Sequence, residues 1–374
     1  MSGGGARAAY QVGLLRWLAK RYPDLYVPIL TGVSAGAINT AFLASQPGDF
    51  RSRVERLAEI WREITTEEVF RVDTLSLARN ALQYGLKLVS GGATGAPRPQ
   101  AAVDTTPLRE LLDRVLEPRD EELPGIDANL RSGALKAVAI TAASYTTGQS
   151  ISWTQGRGIP RWERAHRISV DTKLSVRHVM ASAALPMFFP AVEIDGQWFG
   201  DGGMRLTSPL SPAVHMGADR ILAISTRYAR SQAEASQPAV IGYPPPAQML
   251  GVLFNAVFLD VFDADALTLE RMNSLIESLP AETRGEYRKI KLIVLRPSRD
   301  LGKLANEYES RLPGAFRFMT RGLGTRETRS NDLLSLLMFQ PDYLTRLIEL
   351  GEADAEARAE DIEGLLSGAE VAEP

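Results

Sequence analysis

The segment ILTGVSAGAINTAFLAS, from Ile29 to Ser45, joins an apolar run to a helical pattern through a serine that stands between two glycines. An apolar run, a tight turn and a helix of small residues together predict a strand–turn–helix unit of an α/β protein. The turn itself reads Gly32-Val33-Ser34-Ala35-Gly36. The sequence of this turn is compatible with a nucleophilic serine, and also with a serine that is simply a small residue in a tight turn.

A nucleophilic role for Ser34 has a physical basis in this setting. A sharp strand-to-helix turn lifts the side-chain oxygen away from the backbone, and small neighbours such as Gly32 and Gly36 let adjacent chains come close. The N-terminus of the following helix directs its dipole and free N–H groups towards a developing negative charge. The five-residue motif alone does not exclude a glycine-rich turn with a chance serine.

A glycine-rich loop precedes the first predicted helix, in the run SGGGARAAYQVG from Ser2 to Gly13. Successive glycines can direct several backbone N–H groups towards one anionic oxygen, as the transition state of acyl transfer requires. The spacing Gly3-x-Gly5-x-x-Ala8 also fits a dinucleotide-binding fingerprint. That alternative needs an acidic residue at the end of the second strand, but Asp24 precedes the predicted strand, and the alternative is disfavoured.

A third motif, IDGQWFGDGGMRL, carries Asp201 directly before Gly202 and Gly203. A serine hydroxyl is a poor nucleophile until a base accepts its proton, and Asp201 could be that base. An aspartate before glycine is also common in plain turns, so both interpretations remain open for this motif alone.

The chain has three histidines, His166, His178 and His215. In the usual chain order of a hydrolase triad the histidine follows the aspartate, and only His215 meets that condition. His215 lies in a helix-like run where a surface or packing role is the simpler interpretation. The sequence therefore favours a serine–aspartate dyad over a triad.

Bulk composition is that of an ordinary globular protein. The 374 residues are 45% hydrophobic and 23% charged, with a net charge of -3, which gives no indication of a nucleic-acid partner. The chain has no cysteine, which excludes disulfides and thiolate chemistry. No apolar stretch has the roughly 18 residues that span a bilayer, and no signal segment is recognisable. We expect a cytoplasmic protein, at most peripheral to a membrane.

Predicted strands alternate with helices, which indicates an α/β fold with a largely parallel sheet. Residues 8–21 predict a helix, and residues 134–145 and 151–153 predict a hairpin. Thr106 is the predicted N-cap of a further helix. A Gly- and Pro-rich run over residues 85–103 predicts a surface loop. Residues 229–248 predict a linker, and mainly helical patterns follow it.

Together these motifs resemble the patatin-like phospholipase family. The glycine loop, the G-x-S-x-G turn and the distant D-G-G follow the family's order. The stretches ASAALPMFFPAVEIDGQWFGDGG, PLSPAVHMGADRILAIS and DLLSLLMFQPDYLTRLIELGEADA are similar to family segments. The resemblance covers most of the chain and is strongest over residues 3–45 and 180–226. It implies a three-layer α/β/α fold with a mostly parallel central sheet and a largely helical C-terminal extension.

The resemblance also implies roles for individual residues. Ser34 corresponds to the nucleophile and Asp201 to the proton acceptor, with no metal or organic cofactor. The remaining positions carried over are the oxyanion loop Gly3, Gly4, Gly5, Ala6 and Arg7, the elbow glycines Gly32 and Gly36, and the aspartate turn Gly202 and Gly203. Arg7 matches the family's basic loop residue, which either holds the loop or meets a phosphate; we favour the first role.

The resemblance divides the chain into a catalytic domain over residues 1–228, a linker over 229–248 and a helical region over 249–374 that packs on the catalytic domain. Two departures from the family stand out. Ala8 replaces a glycine, and the apolar strand that precedes the family's glycine loop is absent from this sequence. Buried backbone groups without a partner cost about 1–3 kcal/mol each, so we expect weak stability for the chain as written.

The resemblance implies hydrolysis of lipid acyl esters, with a lipid or acyl-ester substrate and at most transient contact with a membrane surface. One alternative function is a protein of the same fold that binds lipid or a partner without turnover. Another is transfer of the acyl group to an alcohol instead of hydrolysis. The head group, the acyl length and the oligomeric state are not specified by the sequence.

Overall fold

A computed structural model describes residues 1–71, 101–258, 260–285 and 287–367 of the chain, so the predicted loop over 85–103 lies almost wholly outside the described residues. The helices are α1 (Ala8–Arg21), α2 (Ala35–Ser45), α3 (Phe50–Glu63), α4 (Thr66–Val69), α5 (Thr106–Leu116), α6 (Pro124–Ser132), α7 (Val176–Ser182), α8 (Ser211–His215), α9 (Gln232–Ala235), α10 (Pro246–Phe258), α11 (Asp260–Ser278), α12 (Leu301–Tyr308), α13 (Gly314–Gly322), α14 (Asp332–Leu337), α15 (Pro341–Ala357) and α16 (Ala359–Leu366). The strands are β1 (Ile29–Val33), β2 (Ala137–Ser144), β3 (Ser150–Gly156), β4 (Glu163–Arg164), β5 (Arg167–Asp171), β6 (Val192–Ile194), β7 (Gln197–Asp201), β8 (Arg220–Ile224) and β9 (Lys291–Leu295).

Local sequence accounts for the helix boundaries near the site. Helix α1 occupies the predicted residues 8–21 and ends with Lys20 and Arg21, whose charges suit the negative end of the helix dipole. Helix α5 begins at Thr106 itself, so its N-cap is Thr105 rather than the predicted Thr106, and Pro107 fits the first turn because the N–H it lacks has no helical partner there.

The sheet confirms the predicted α/β/α fold with one difference, because it is mixed rather than mostly parallel. Strands β1 and β2, β3 and β5, and β8 and β9 pair in parallel. Strands β2 and β3, β2 and β7, β4 and β5, and β6 and β7 pair in the antiparallel sense. The short turns between β2 and β3 and between β6 and β7 explain the difference, since only antiparallel strands can be joined so closely.

Strand β2 lies at the centre of the fold and is buried on both faces. Val138 and Ile140 point into the main core with α1, α2 and α3. Ala139 faces the other way and packs with Met216 and Trp162. A strand covered on both faces reads as a continuous apolar run, which is how residues 134–145 appear in the sequence.

The first three residues connect the main sheet to the β8–β9 pair. The α-amino group of Met1 donates to the carbonyl of Thr31 at 2.7 Å, and Ser2 N–H donates to the carbonyl of Ile224 at 3.1 Å. Burial lowers the pKa of the Met1 ammonium to about 5. Residues 1–3 therefore lie between β1 and β8 and fix the start of the glycine loop.

The region after residue 248 is mainly helical and contacts the earlier part of the chain at several places. Strand β9 pairs with β8, and α15 packs along α1. No helix in the described ranges combines the length and the apolarity that crossing a bilayer requires. The division of the chain at residues 228 and 248 stays a prediction.

Candidate active site

Ser34 occupies a strained turn between β1 and α2. Its backbone has φ +56° and ψ −134°, which a residue with a side chain rarely adopts and which costs about 1–3 kcal/mol. A Cβ at Gly36 would lie 2.4 Å from the carbonyl oxygen of Ser2, and one at Gly32 would lie 2.3 Å from that of Gly36. The two glycines therefore supply the close approach that the sequence predicts.

Ser182 holds this turn on the central strand and was not predicted as a site residue. Its hydroxyl accepts the backbone N–H of Ser34 at 3.0 Å and donates to the carbonyl of Thr141 at 2.6 Å, and the side chain is fully buried. The only signal in the sequence is a single polar residue among small apolar ones in the run ASAALP. A hydroxyl that accepts and donates in this way stabilises the strained backbone of Ser34.

Two strands meet end to end along one edge of β2 and bring the predicted dyad together. Strand β1 runs parallel to β2 and pairs Val33 with Thr141. Strand β7 runs antiparallel to β2 and pairs Asp201 with Ala142. Because the two strands approach from opposite directions, their C-terminal ends face each other. Ser34 and Asp201 therefore lie close together although they are 167 positions apart in the sequence.

The carboxyl group of Asp201 is fully buried at this junction. Burial raises its pKa to about 7, while the hydroxyl of Ser34 beside it and the N–H of Gly203, which donates to Oδ1 at 2.9 Å, act in the opposite direction. Within the described part of the chain, Oδ2 has no hydrogen bond of normal geometry. An ionised carboxylate oxygen without a partner could accept a hydrogen bond or a proton. Gly202 begins the 3₁₀ turn that follows.

The glycine loop is pressed between Ser34 and helix α14. Gly4 has φ +146° and Gly5 has φ +54°, which suit glycine. A Cβ at Gly3 would lie 2.8 Å from Cβ of Ser34, and one at Gly5 would lie 2.2 Å from the carbonyl oxygen of Leu336. The loop is therefore packed closely on both sides.

The backbone N–H groups of Gly4 and Gly5 donate to no acceptor among the residues that the structure describes. Both residues line the same cavity as Ser34 and Asp201. Ala6 and Arg7 continue the loop as a buried 3₁₀ turn. Free N–H groups beside a serine hydroxyl are the donors that an oxyanion needs.

Arg7 points away from the cavity into the protein. The Arg7 side chain is 3% exposed, and its guanidinium forms an ion pair with Asp332 at 2.7 Å. Asp332 was not predicted as a site residue, because nothing in its local sequence indicates contact with a loop more than 300 positions earlier. The contact supports the loop-holding role of Arg7 over contact with a phosphate.

Ala8, the departure from the family pattern, is fully buried as the first residue of α1. Its φ of −66° and ψ of −15° are accessible to any L-residue. The alanine therefore fits the backbone that is present, and its methyl group adds to the core.

The cavity beside the dyad is almost entirely apolar. It has a volume of about 1020 Å³ with its open mouth included. Its apolar wall comes from α2, α3, α5 and the C-terminal region and includes Ile38, Phe42, Leu57, Trp61, Leu108, Leu111, Val115, Phe254, Phe258, Leu336, Leu337 and Phe339. An apolar cavity with a few convergent polar groups at one place is typical of a site for an apolar ligand with one reactive end.

None of the three histidines lines this cavity. Nδ1 of His178 accepts the backbone N–H of Ser175 at 3.0 Å at the N-terminus of α7, and burial lowers the pKa of His178 to about 4. His215 stacks on Trp162 with 4.8 Å between ring centroids, and His166 is exposed. Across the described ranges, no group of three His, Asp or Glu side chains could hold a metal ion.

Two solved structures are similar to the chain at low sequence identity. The chain is similar in structure to VipD from Legionella pneumophila, with 14% identity, a TM-score of 0.42 and coverage of 96% of this chain and 66% of VipD. It is also similar to the type III effector protein ExoU, with 14% identity, a TM-score of 0.39 and coverage of 97% of this chain and 52% of ExoU. The chain thus spans about two thirds and one half of these proteins.

A search of curated proteins gave no match to the sequence. The sequence model described as patatin-like phospholipase matches residues 1–214, which is more than half of the chain. The chain therefore belongs to the patatin-like phospholipase family.

Proposed function

We propose that this protein hydrolyses acyl esters of lipids through Ser34 and Asp201. The observation that carries the proposal is that one apolar cavity is lined by Ser34, Asp201, Gly4 and Gly5 together. The hydroxyl is a nucleophile, the buried carboxylate is a proton acceptor and the two N–H groups are oxyanion donors. The apolar wall matches an acyl chain, and family membership supports a lipid substrate.

The reaction proceeds in two acyl-transfer steps. Asp201 takes the proton of the Ser34 hydroxyl as Oγ attacks the ester carbonyl carbon, and the N–H groups of Gly4 and Gly5 stabilise the oxyanion. A well-aimed donor of this kind contributes about 3–4 kcal/mol. The intermediate collapses, the alcohol leaves with the proton held by Asp201, and an acyl-serine remains. Water then attacks the carbonyl carbon of the acyl-serine and Asp201 takes its proton. As the bond to Ser34 Oγ breaks, Asp201 returns that proton to Oγ, and the fatty acid is released.

The experiment that tests this proposal combines covalent labelling with turnover. We expect a fluorophosphonate probe to label the wild type and not Ser34→Ala, because only an activated serine reacts. Ser45→Ala, at the far end of α2, is the matched control, since the Ser45 hydroxyl donates to the carbonyl of Phe42 within the same helix and does not line the cavity. Labelling that persists in Ser34→Ala would contradict the proposal.

Turnover separates hydrolysis from its alternatives. Phospholipids, lysophospholipids and monoacylglycerols are each presented with Ser34→Ala as the blank, and Asp201→Asn is expected to lose turnover as well. Released fatty acid indicates hydrolysis, whereas an acylated acceptor alcohol indicates transfer. Lipid binding by a wild type that neither turns over nor reacts with the probe would favour a binding protein.

A further inference from the structure

The ion pair between Arg7 and Asp332 connects the glycine loop to the C-terminal region. Arg7 Nε donates to the hydroxyl of Ser335 at 2.7 Å, and Arg7 Nη2 donates to Asp332 Oδ1 at 2.7 Å and to the Asp332 carbonyl at 3.1 Å. The Ser335 hydroxyl itself donates to the Asp332 carbonyl at 2.7 Å. The guanidinium is thus held at two of its nitrogens by the first turn of α14.

The second oxygen of the same carboxylate holds the wall of the cavity. Asp332 Oδ2 accepts the side-chain Nδ2 of Asn255 at 2.7 Å, and Asn255 on α10 lines the cavity beside the dyad. The Asp332 side chain is 13% exposed. This partly buried carboxylate therefore joins the glycine loop, α14 and α10. One of its oxygens accepts a hydrogen bond from the charged Arg7, and the other accepts one from the neutral amide of Asn255.

The start of the glycine loop is held by other contacts, since Thr226 Oγ1 donates to the Gly3 carbonyl and Gln11 Nε2 donates to the Ser2 carbonyl, both at 2.7 Å. Arg7 anchors the end of the loop. Three glycines and Ala6 precede Arg7, so Arg7 is the first residue after Ser2 whose side chain is long enough to anchor the loop. Glycine backbones have wide conformational freedom. Displacement of catalytic groups by about 1 Å can lower a rate about 10²-fold. The position of the Gly4 and Gly5 N–H groups therefore depends on what fixes Arg7.

We propose that Asp332 is a positioning residue for ester hydrolysis, because it holds Arg7 and so fixes the oxyanion donors of the glycine loop relative to the cavity wall. The inference rests on the function proposed above. In this inference the guanidinium of Arg7 binds Asp332 and does not bind a substrate phosphate, since it is buried and faces α14. A positioning residue of this kind affects the transition state more than the binding of substrate.

The first test is Asp332→Asn, which keeps the size of the side chain and removes its charge. We expect kcat for a nitrophenyl ester to fall about 10- to 100-fold with little change in KM, since the acyl chain still enters the same cavity. The matched control is Glu352→Gln, which removes another carboxylate that pairs with an arginine of α1, Arg16 at 2.6 Å, away from the cavity. The control should keep the kcat of the wild type.

The second test separates positioning from folding. Arg7→Met combined with Asp332→Leu removes both charges together, so that no unpaired charge is left buried, and such replacements are often tolerated by the fold. We expect this variant to keep the melting temperature of the wild type and still to show the low kcat. The fluorophosphonate labelling rate should fall in parallel with kcat.

Either folded variant with the kcat of the wild type would overturn the positioning role. Loss of folding in both variants would also overturn it, in favour of a purely structural ion pair. If the wild type shows no turnover that depends on Ser34, the proposed function itself is overturned. If the wild type is active and its Asp332 variants are equally active, only the positioning role of Asp332 is overturned.

Discussion

Asp201 is a buried carboxyl group whose pKa decides when the proposed reaction can run. Burial raises that pKa to about 7, and only the ionised form can accept the proton of Ser34. We expect kcat/KM for a nitrophenyl ester to rise with pH through a midpoint near 7 and then to level off. A profile measured from pH 5 to 9 checks this. A midpoint near 4 would show that Asp201 titrates like an exposed aspartate and would contradict this prediction.

The same carboxyl group should lower stability at alkaline pH. Its pKa is about 7 in the folded state, against an ordinary value of 3.8 for an aspartate. Its stabilising contribution is therefore complete below about pH 4 and is lost as the pH rises through 7. We therefore expect Asp201→Asn to unfold at a higher denaturant concentration than the wild type. Its free energy of unfolding should exceed that of the wild type by up to about 4 kcal/mol at pH 8 and by less at pH 5.

Denaturant unfolding at both pH values measures this difference. Ser34→Ala serves as the control, because it is equally inactive yet keeps the carboxyl group and its dependence on pH. An equal gain for Asp201→Asn at pH 5 and pH 8 would mean that burial does not raise the pKa.

At this scale the sequence predicts the residues of the proposed reaction but not those that hold them. Ser34, Asp201 and the glycines lie in short motifs whose residue types are dictated by the tight turns around them. Ser182 and Asp332 act on residues 148 and 325 positions away. A serine or an aspartate in a helical run has no local pattern that indicates such a partner, so only the folded chain identifies it.

Helices α1 and α15 cross in close backbone contact. A Cβ at Gly351 would lie 2.2 Å from the carbonyl of Tyr10, and one at Gly13 would lie 2.0 Å from that of Ile348. We expect Gly351→Ala to lower the free energy of unfolding by about 1–3 kcal/mol, as for other overpacked contacts. Denaturant unfolding at neutral pH measures it.

Gly364 provides a control for this prediction, because the same substitution there should not lower the free energy of unfolding. It lies exposed in α16, and a Cβ there would meet no atom within 4 Å. Alanine is a better helix former than glycine by about 1 kcal/mol, so Gly364→Ala should be neutral or stabilising. A Gly351→Ala variant as stable as Gly364→Ala would show that the two helices can move apart at no cost.

Elements with a strong local pattern were predicted well, whereas their arrangement was not. Residues 8–21 form α1 as predicted, and residues 137–156 form the predicted hairpin of β2 and β3. The mixed directions of the sheet were missed, because strand direction depends on partners that are distant in sequence. Strand β7 pairs with β2 across about 60 residues, and no period in either strand indicates that pairing.

The C-terminal region takes part in both the core and the site of the whole molecule. Eleven of the fourteen residues of α1 are buried, and α15 covers one side of that helix. Phe254, Leu336 and Phe339 line the cavity beside Ser34. Burial of apolar surface contributes about 25 cal/mol per Å², so loss of these contacts would remove a large part of the stability of residues 1–228.

We therefore expect residues 1–228 alone to show neither turnover nor fluorophosphonate labelling, and to unfold without a cooperative transition. Circular dichroism during thermal unfolding and the labelling assay measure both properties. Co-expression of residues 229–374 as a separate chain is the control, and it should restore labelling if the two parts associate. Full turnover by residues 1–228 alone would instead establish an independent catalytic domain, and the cavity would then need no wall from the C-terminal region.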